Sequence, residues 1–134
     1  MKLLIVDDDP AVVDFFCQVA ETLKAGTVDT ADSGEEAMAR VVNSQYDLIT
    51  LDIRMPGASG LEIIAMIRNM CPHALISGHF PADIPEETAH CADVMLEKPV
   101  KLDVLKRLME SANAVSSELE KVRDMDSFKD KLSV

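Results

Sequence analysis

Short apolar runs alternate along this chain with longer stretches whose apolar residues recur at helical spacing. Leu3-Leu4-Ile5-Val6 reads as a buried strand that ends in Asp7, Asp8 and Asp9. Asp9-Pro10 then reads as a helix N-cap with proline at the first helical position. Val12, Val13, Phe16, Val19, Ala20 and Leu23 carry that helix to about Lys24, and Gly26 is its expected stop. Thr27 to Thr30 is a weak second strand. Ser33, with Glu36 three residues on, predicts a capped second helix whose apolar side is Ala37, Val41 and Val42. Residues 47–52 are a third strand, and Met55 to Gly60 is a loop by its turn residues. A third helix is expected from about Leu61 to Met70, and a fourth strand over Ala74-Leu75-Ile76-Ser77. Gly78 to Pro85 reads as loop, with a short fourth helix from Pro85. Val94 to Glu97 is the fifth strand, closed by Lys98-Pro99, and a long last helix starts near Lys101.

Five short apolar strands joined by helices imply a parallel sheet covered on both faces, with right-handed crossovers. The expected fold is a three-layer α/β domain. At 134 residues the chain has room for one such domain and its core.

Charge narrows the class. Residues 1–100 hold 17 acidic and six basic side chains and carry the whole net charge of −11, while residues 101–134 are balanced. Such a surface repels phosphate backbones and anionic lipid, which argues against direct nucleic-acid binding. No apolar run approaches a membrane span, and the acid after Val6 is unlike a signal peptide, so no membrane insertion is expected. The three cysteines, Cys17, Cys71 and Cys91, are too few for a disulfide framework and point to a cytoplasmic setting. The pairs Cys71/His73 and His90/Cys91 match no standard zinc spacing.

The chemistry collects at strand ends. In open α/β sheets ligands bind beyond the carboxyl ends of the strands. There the sequence places Asp7 and Asp8 after strand one, Asp52 after strand three, Ser77 after strand four and Lys98 after strand five. Three neighbouring carboxylates repel one another unless cations share the site. Lys98 offers one positive charge and Mg²⁺, a hard cation suited to oxygen ligands, offers two, which together balance the three acids. A carboxylate can attack phosphorus to give an aspartyl phosphate, a reaction that needs mainly positioning and charge neutralisation.

These motifs carry a family resemblance. Leu4-Ile5-Val6-Asp7-Asp8-Asp9-Pro10, Tyr46 to Gly57, Ser77-Gly78-His79 and Glu97-Lys98-Pro99 together resemble the receiver domains of bacterial two-component response regulators, over residues 1 to about 120. The resemblance implies a flavodoxin-like doubly wound sheet of order 2-1-3-4-5. It implies that Asp52 accepts a phosphoryl group from a sensor histidine kinase or histidine phosphotransfer protein. Asp8, Asp52 and the backbone carbonyl of Arg54 would hold Mg²⁺, with Asp7 helping through water. Lys98 would contact a phosphoryl oxygen, and Ser77 would swing in to bond another as the switching step. Such a protein is not an enzyme beyond its own phosphorylation and dephosphorylation, and it signals by binding a downstream effector. Residues 1–122 would be the receiver and 123–134 a tail too short for an output domain, as in stand-alone chemotaxis-type regulators.

Met95 departs from the aromatic residue usual three positions before the lysine, so a rotating ring cannot be the readout here. Arg54 and His79 are expected at the mouth of the site, shielding the acyl phosphate. Two other readings remain open on the residues alone. Asp7-x-Asp9 suits a small haloacid-dehalogenase-like phosphatase or phosphotransferase, although the acidic pair which that family needs after the lysine is missing. A phosphorylation-independent docking module is the other. Leu105, Leu108, Ala112, Val115, Leu119 and Val122 form a 3,4 seam on the last helix to near Arg123, and its far half suggests a homodimer or partner contact.

Overall fold

The computed structural model describes residues 1–55, 60–80 and 92–132; for 60, 61, 119, 120 and 122–132 only the backbone is described. Five strands, β1 (Lys2–Val6), β2 (Thr27–Ala31), β3 (Leu48–Asp52), β4 (Leu75–Phe80) and β5 (Val94–Glu97), form one sheet of order β2-β1-β3-β4-β5. All four pairings are parallel. The helices are α1 (Pro10–Thr22), α2 (Gly34–Asn43), α3 (Gly60–Met70) and α4 (Leu102–Leu132). The expected fourth helix at Pro85 lies outside the described residues. None of the described helices is long and apolar enough to cross a membrane.

The sheet separates two apolar layers, because successive strand residues face opposite ways. Leu4, Val6, Ile49, Leu51 and Ile76 pack with α2 and α3. Leu3, Ile5 and Leu48 pack with Phe16 and Val19 of α1 and with Leu105 and Met109 of α4. Thr50 and Asp52 therefore face the α1/α4 side, in step with Leu48. Ser77 and His79 share that side, in step with Leu75, which packs against the same layer.

The caps explain the helix starts. The Asp9 side chain accepts a hydrogen bond from Ala11 N at 2.9 Å, ahead of Pro10. Ser33 Oγ accepts one from Glu36 N at 3.1 Å, and the Glu36 carboxylate accepts from Asp32 N. The stop of α1 differs from expectation. The helix ends at Thr22, and Lys24 rather than Gly26 takes the left-handed position, at φ 52°. Ala25 N then reaches back to Ala20 O and Lys24 N to Glu21 O, satisfying two terminal carbonyls. Gly26, at φ 121°, serves another purpose: a Cβ there would lie 1.9 Å from Met1 O, the carbonyl that accepts Thr27 N at the start of the β1–β2 ladder.

Two further differences bear on function. The sequence ends the fourth strand at Ser77, but β4 continues through Gly78 and His79 to Phe80. Gly78 reads as a turn residue from sequence. In the fold its missing side chain leaves room for Met95, whose Sδ would be 2.8 Å from a Cβ at that position. Hydrogen bonds from Ile53 N to His79 O and from Lys98 N to Phe80 O hold the extra residues between β3 and β5. The last helix, expected to end near Arg123, runs on to Leu132. Of the expected seam, Leu105 and Ala112 are buried and Leu108 packs partly buried on the same core; Met109 and Ser116 complete the buried face, while Val115 is 44% exposed.

Gly26→Ala should lower unfolding stability by about 2 kcal/mol, because the alanine must either hold a positive φ or displace the Met1 carbonyl. Urea unfolding monitored by circular dichroism checks this, and an unchanged midpoint would contradict it.

Candidate functional site

Four side chains converge at the carboxyl edge of the sheet. Asp7 follows β1 and is buried; its Oδ1 accepts Asp9 N at 2.9 Å. Asp8, next in the chain, points to solvent. Asp52 closes β3, is 4% exposed, and takes Arg54 N on Oδ1 at 3.0 Å. Lys98, just beyond β5, places its Nζ 3.0 Å from Asp52 Oδ2 and 3.2 Å from Asp7 Oδ2. Carboxylate oxygens of Asp7, Asp8 and Asp52 lie within 4.8 Å of one another. Among the described residues, this is the group of His, Cys, Asp or Glu placed to hold a metal ion. Asp9, the second acid a haloacid-dehalogenase-like reading needs, is spent as the cap of α1.

The electrostatics follow from burial. Loss of water pushes the Asp52 carboxyl above its ordinary value; Lys98 and the Arg54 N–H pull it back, and the charge of Asp7 adds to the rise. Burial pulls the Lys98 ammonium the other way, but its bonds to Asp52 and Asp7 win and hold it above the ordinary lysine value. One ammonium shared by two buried carboxylates and a third at the rim leaves a surplus of two negative charges. The donor set is all oxygen, and each engaged carboxylate oxygen keeps a lone pair. Both features fit a hard divalent cation, and the exposed Asp8 leaves it a solvent side.

The polar residues of β4 depart from expectation. Ser77 is paired in register with Thr50, inside the sheet, and is fully buried. The β4 residue level with Asp52 is His79. Its Nε2 lies 2.8 Å from Ser77 Oγ, and its ring packs edge-on against Phe16 with centroids 5.1 Å apart. Burial, helped by the Lys98 charge, pushes the imidazole down to about 3, so it is neutral at physiological pH. His79 is therefore no cationic shield at the mouth. Arg54 is exposed, as expected there. Thr50 Oγ1 is a buried atom that finds no partner. Thr50 was not legible beside this site, and His79 was legible only as a residue of its mouth, because the two-residue extension of β4 past the apparent turn at Gly78 decides which β4 residue stands level with Asp52.

A doubly wound parallel sheet carrying a buried aspartate, a paired lysine and an acidic cluster at its carboxyl edge defines a class of small phosphoacceptor modules. The chain belongs to the response regulator receiver domain family, whose model matches residues 3–110. It is 34% identical over 114 residues to transcription factor SKN7 of Chaetomium thermophilum, covering 81% of this chain and 15% of that protein. It is 37% identical over 67 residues to the transcriptional regulatory protein ResD of Bacillus subtilis, covering 50% of this chain and 28% of that one. The match thus spans less than a third of the length of these relatives. Among solved structures it resembles a CheY-like receiver domain protein of Methanospirillum hungatei, with TM-score 0.76 and 26% identity over 87% of this chain and 97% of that one. CheY4, a chemotaxis response regulator of Vibrio cholerae, gives TM-score 0.74 and 25% identity over 83% and 97%.

The raised carboxyl of Asp52 makes a stability prediction. A folded-state value above the unfolded one means that ionisation of Asp52 opposes folding, and that the cost grows as pH rises out of the ordinary carboxylate range. Without divalent cation, Asp52→Asn should raise the melting temperature at pH 7 by about 2–4 °C. The gain should vanish as pH falls below that range, and Mg²⁺ should reverse the order by stabilising wild type more. Thermal melts at several pH values check it; a less stable apo variant at pH 7 would contradict it.

Proposed function

We propose that this receiver takes a phosphoryl group on Asp52 from the phosphohistidine of a sensor kinase or histidine phosphotransfer protein. The observation that carries this reading is the lysine bridge, with Lys98 within 3.2 Å of both buried carboxylates. An Asp52 oxygen forms the new O–P bond, the N–P bond breaks, and its electron pair returns to the donor imidazole. The product is a mixed anhydride held in a pocket that has lost one carboxylate charge and gained phosphoryl oxygens. Lys98 then trades an Asp52 oxygen for a phosphoryl oxygen, while its bond to Asp7 keeps it in place. The Arg54 N–H fixes the rotamer of Asp52.

Mg²⁺ is the cation proposed, held by Asp8, Asp52 and the Arg54 backbone carbonyl, with Asp7 acting through water. It neutralises charge on the transferring phosphoryl group. Beyond its own phosphorylation and dephosphorylation the domain has no proposed enzymatic activity. A cytoplasmic setting suits a buried Cys71 thiol that burial pushes up and so keeps unreactive. The output is contact with a downstream effector protein, as the names of SKN7 and ResD attach such domains to transcriptional regulation.

Homodimerisation through α4 is the second contact proposed. Val115 on α4, Val42 on α2 and Met70 on α3 are exposed apolar residues around one cavity of about 660 Å³ at the end of the sheet opposite the acids. The seam continues in sequence through Leu119 and Val122. Sedimentation should show a dimer for wild type and a monomer for Leu119→Asp with Val122→Asp; a wild type that stays monomeric at high concentration rejects the homodimer.

Intact-mass spectrometry with Mg²⁺ and acetyl phosphate tests the main reading. Wild type should gain one phosphoryl mass, Asp52→Asn none, and Lys98→Ala should gain it about 10–100-fold more slowly. Equal phosphorylation of Asp52→Asn, or full modification in excess chelator, would overturn it.

A further inference from the structure

We propose that Asp93, backed by Arg68, pins the register of β5 and so positions Lys98 for phosphoryl transfer at Asp52. Both are positioning residues: they act through the strand and touch no reacting atom. The inference rests on the phosphoacceptor reading of Asp52 and asks what holds its lysine in place.

Lys98 needs such a holder because burial anchors β5 weakly. It is an edge strand, bonded to β4 alone. All five residues of β3 are buried, and none of the four in β5 is. Register is set chiefly by the face a strand buries, so a half-exposed strand is prone to slip. Ladder hydrogen bonds do not choose between registers, because the residues of β5 all offer the same N–H and C=O. A slip of two residues keeps each side chain on its face and carries Lys98 about 6.6 Å along the sheet. That is about twice the length of its 3.0 and 3.2 Å contacts with Asp52 and Asp7.

Asp93, the residue before β5, does choose. Its N–H donates to Ile76 O at 2.8 Å, and its Oδ2 accepts Ile76 N at 2.8 Å. One residue thus takes both backbone groups of a fully buried strand residue. A slip of two would bring Cys91 or Met95 level with Ile76, and neither carries a side-chain oxygen to accept that N–H. Arg68, in the last turn of α3, holds the carboxylate in place. Its Nη2 donates to the same Asp93 Oδ2 and its Nη1 to Ala74 O at 2.9 Å. The rigid guanidinium fork therefore ties the entry of β4 to the entry of β5. An exposed ion pair by itself contributes little, but this carboxylate also holds a backbone N–H, and the arginine has a second bond. α3 is the helix that follows Asp52 in the chain, so the clamp joins the acceptor's helix to the strand that carries its lysine.

The test uses the whole chain, labelled with ¹⁵N and ¹³C. The Lys98 ammonium is read by ¹H–¹⁵N correlation, assigned by its loss in Lys98→Ala, and the β5 register by nuclear Overhauser contacts between Ser77 and Val94. Acetyl phosphate with Mg²⁺ gives the phosphorylation rate. Asp93→Ala should shift the Lys98 signal, weaken the Ser77–Val94 contacts while those between β3 and β4 persist, and slow phosphorylation about 10-fold. Asp93→Asn keeps a side-chain carbonyl for Ile76 N and should recover the register and most of the rate. Arg68→Gln should shift the Lys98 signal less and slow the reaction about 3-fold. Gly26→Ala, at the opposite edge of the sheet, controls for lost stability and should leave rate and Lys98 signal as in wild type. A wild-type Lys98 signal and rate in Asp93→Ala would overturn the inference and leave the phosphoacceptor reading intact. So would a slower rate with Lys98 and β5 unmoved, or an equal loss in Gly26→Ala. Should Asp93→Ala not fold, Arg68→Gln decides, and a Lys98 signal there identical to wild type would overturn the inference. Wild type that gains no phosphoryl mass would overturn the phosphoacceptor reading, while the register and the Lys98 signal, read without phosphorylation, still decide the pin.

Discussion

The ion bridge from Lys98 to Asp7 and Asp52 is the interaction on which the rest of this molecule turns. Two carboxylates are almost wholly removed from water at the edge of an apolar sheet. Each would be costly alone, and their repulsion makes the pair costlier still. One ammonium from just beyond β5, two strands from β3 and three from β1, offsets part of that cost, and the parallel β1-β3-β4-β5 order brings it there. The fold and the charge balance are therefore one constraint. The bridge leaves a negative surplus open to solvent at Asp8, and a phosphoryl-transfer site with a divalent cation uses such a surplus.

The supporting structure is arranged to keep that edge rigid. Asp9 caps α1 directly behind Asp7 and Asp8, so the acids emerge from a fixed turn. Arg54 N fixes Asp52 from the other side. At the far end, Tyr46 donates to Asp29 Oδ2 at 2.6 Å and Asp47 accepts Lys2 N at 2.7 Å, tying β1, β2 and the start of β3 together. That tie is strong enough, with burial first among its causes, to push the Tyr46 hydroxyl up to about 12.

Much of this was legible in the sequence, for physical reasons. Apolar runs bounded by acid or proline mark buried parallel strands. Asp9-Pro10 and Ser33-x-x-Glu36 mark helix starts because caps are local chemistry. The acids and Lys98 could be placed because strand ends are where such runs stop. What could not be read depended on contacts between distant residues. Gly78 has the look of a turn until Met95 is seen to occupy the space over it. That one misreading moves Ser77 inside the sheet and brings His79 level with Asp52. The seam on α4 holds as far as Ala112, but Met109 and Ser116 join its buried face and Val115 leaves it, an orientation that helix periodicity leaves open until the helix is docked.

The central claim is that the lysine-bridged acids form a divalent-cation site centred on Asp52. Carboxyl ¹³C NMR of aspartate-labelled protein during a Mg²⁺ titration measures it most directly. The account predicts one saturable transition in which the Asp8 and Asp52 carboxyl signals move together. The Asp52 carboxyl, raised without metal, should titrate at lower pH once Mg²⁺ is bound, and Asp8→Ala should abolish the transition. Carboxyl signals of Asp8 and Asp52 that stay unmoved through millimolar Mg²⁺ would contradict it.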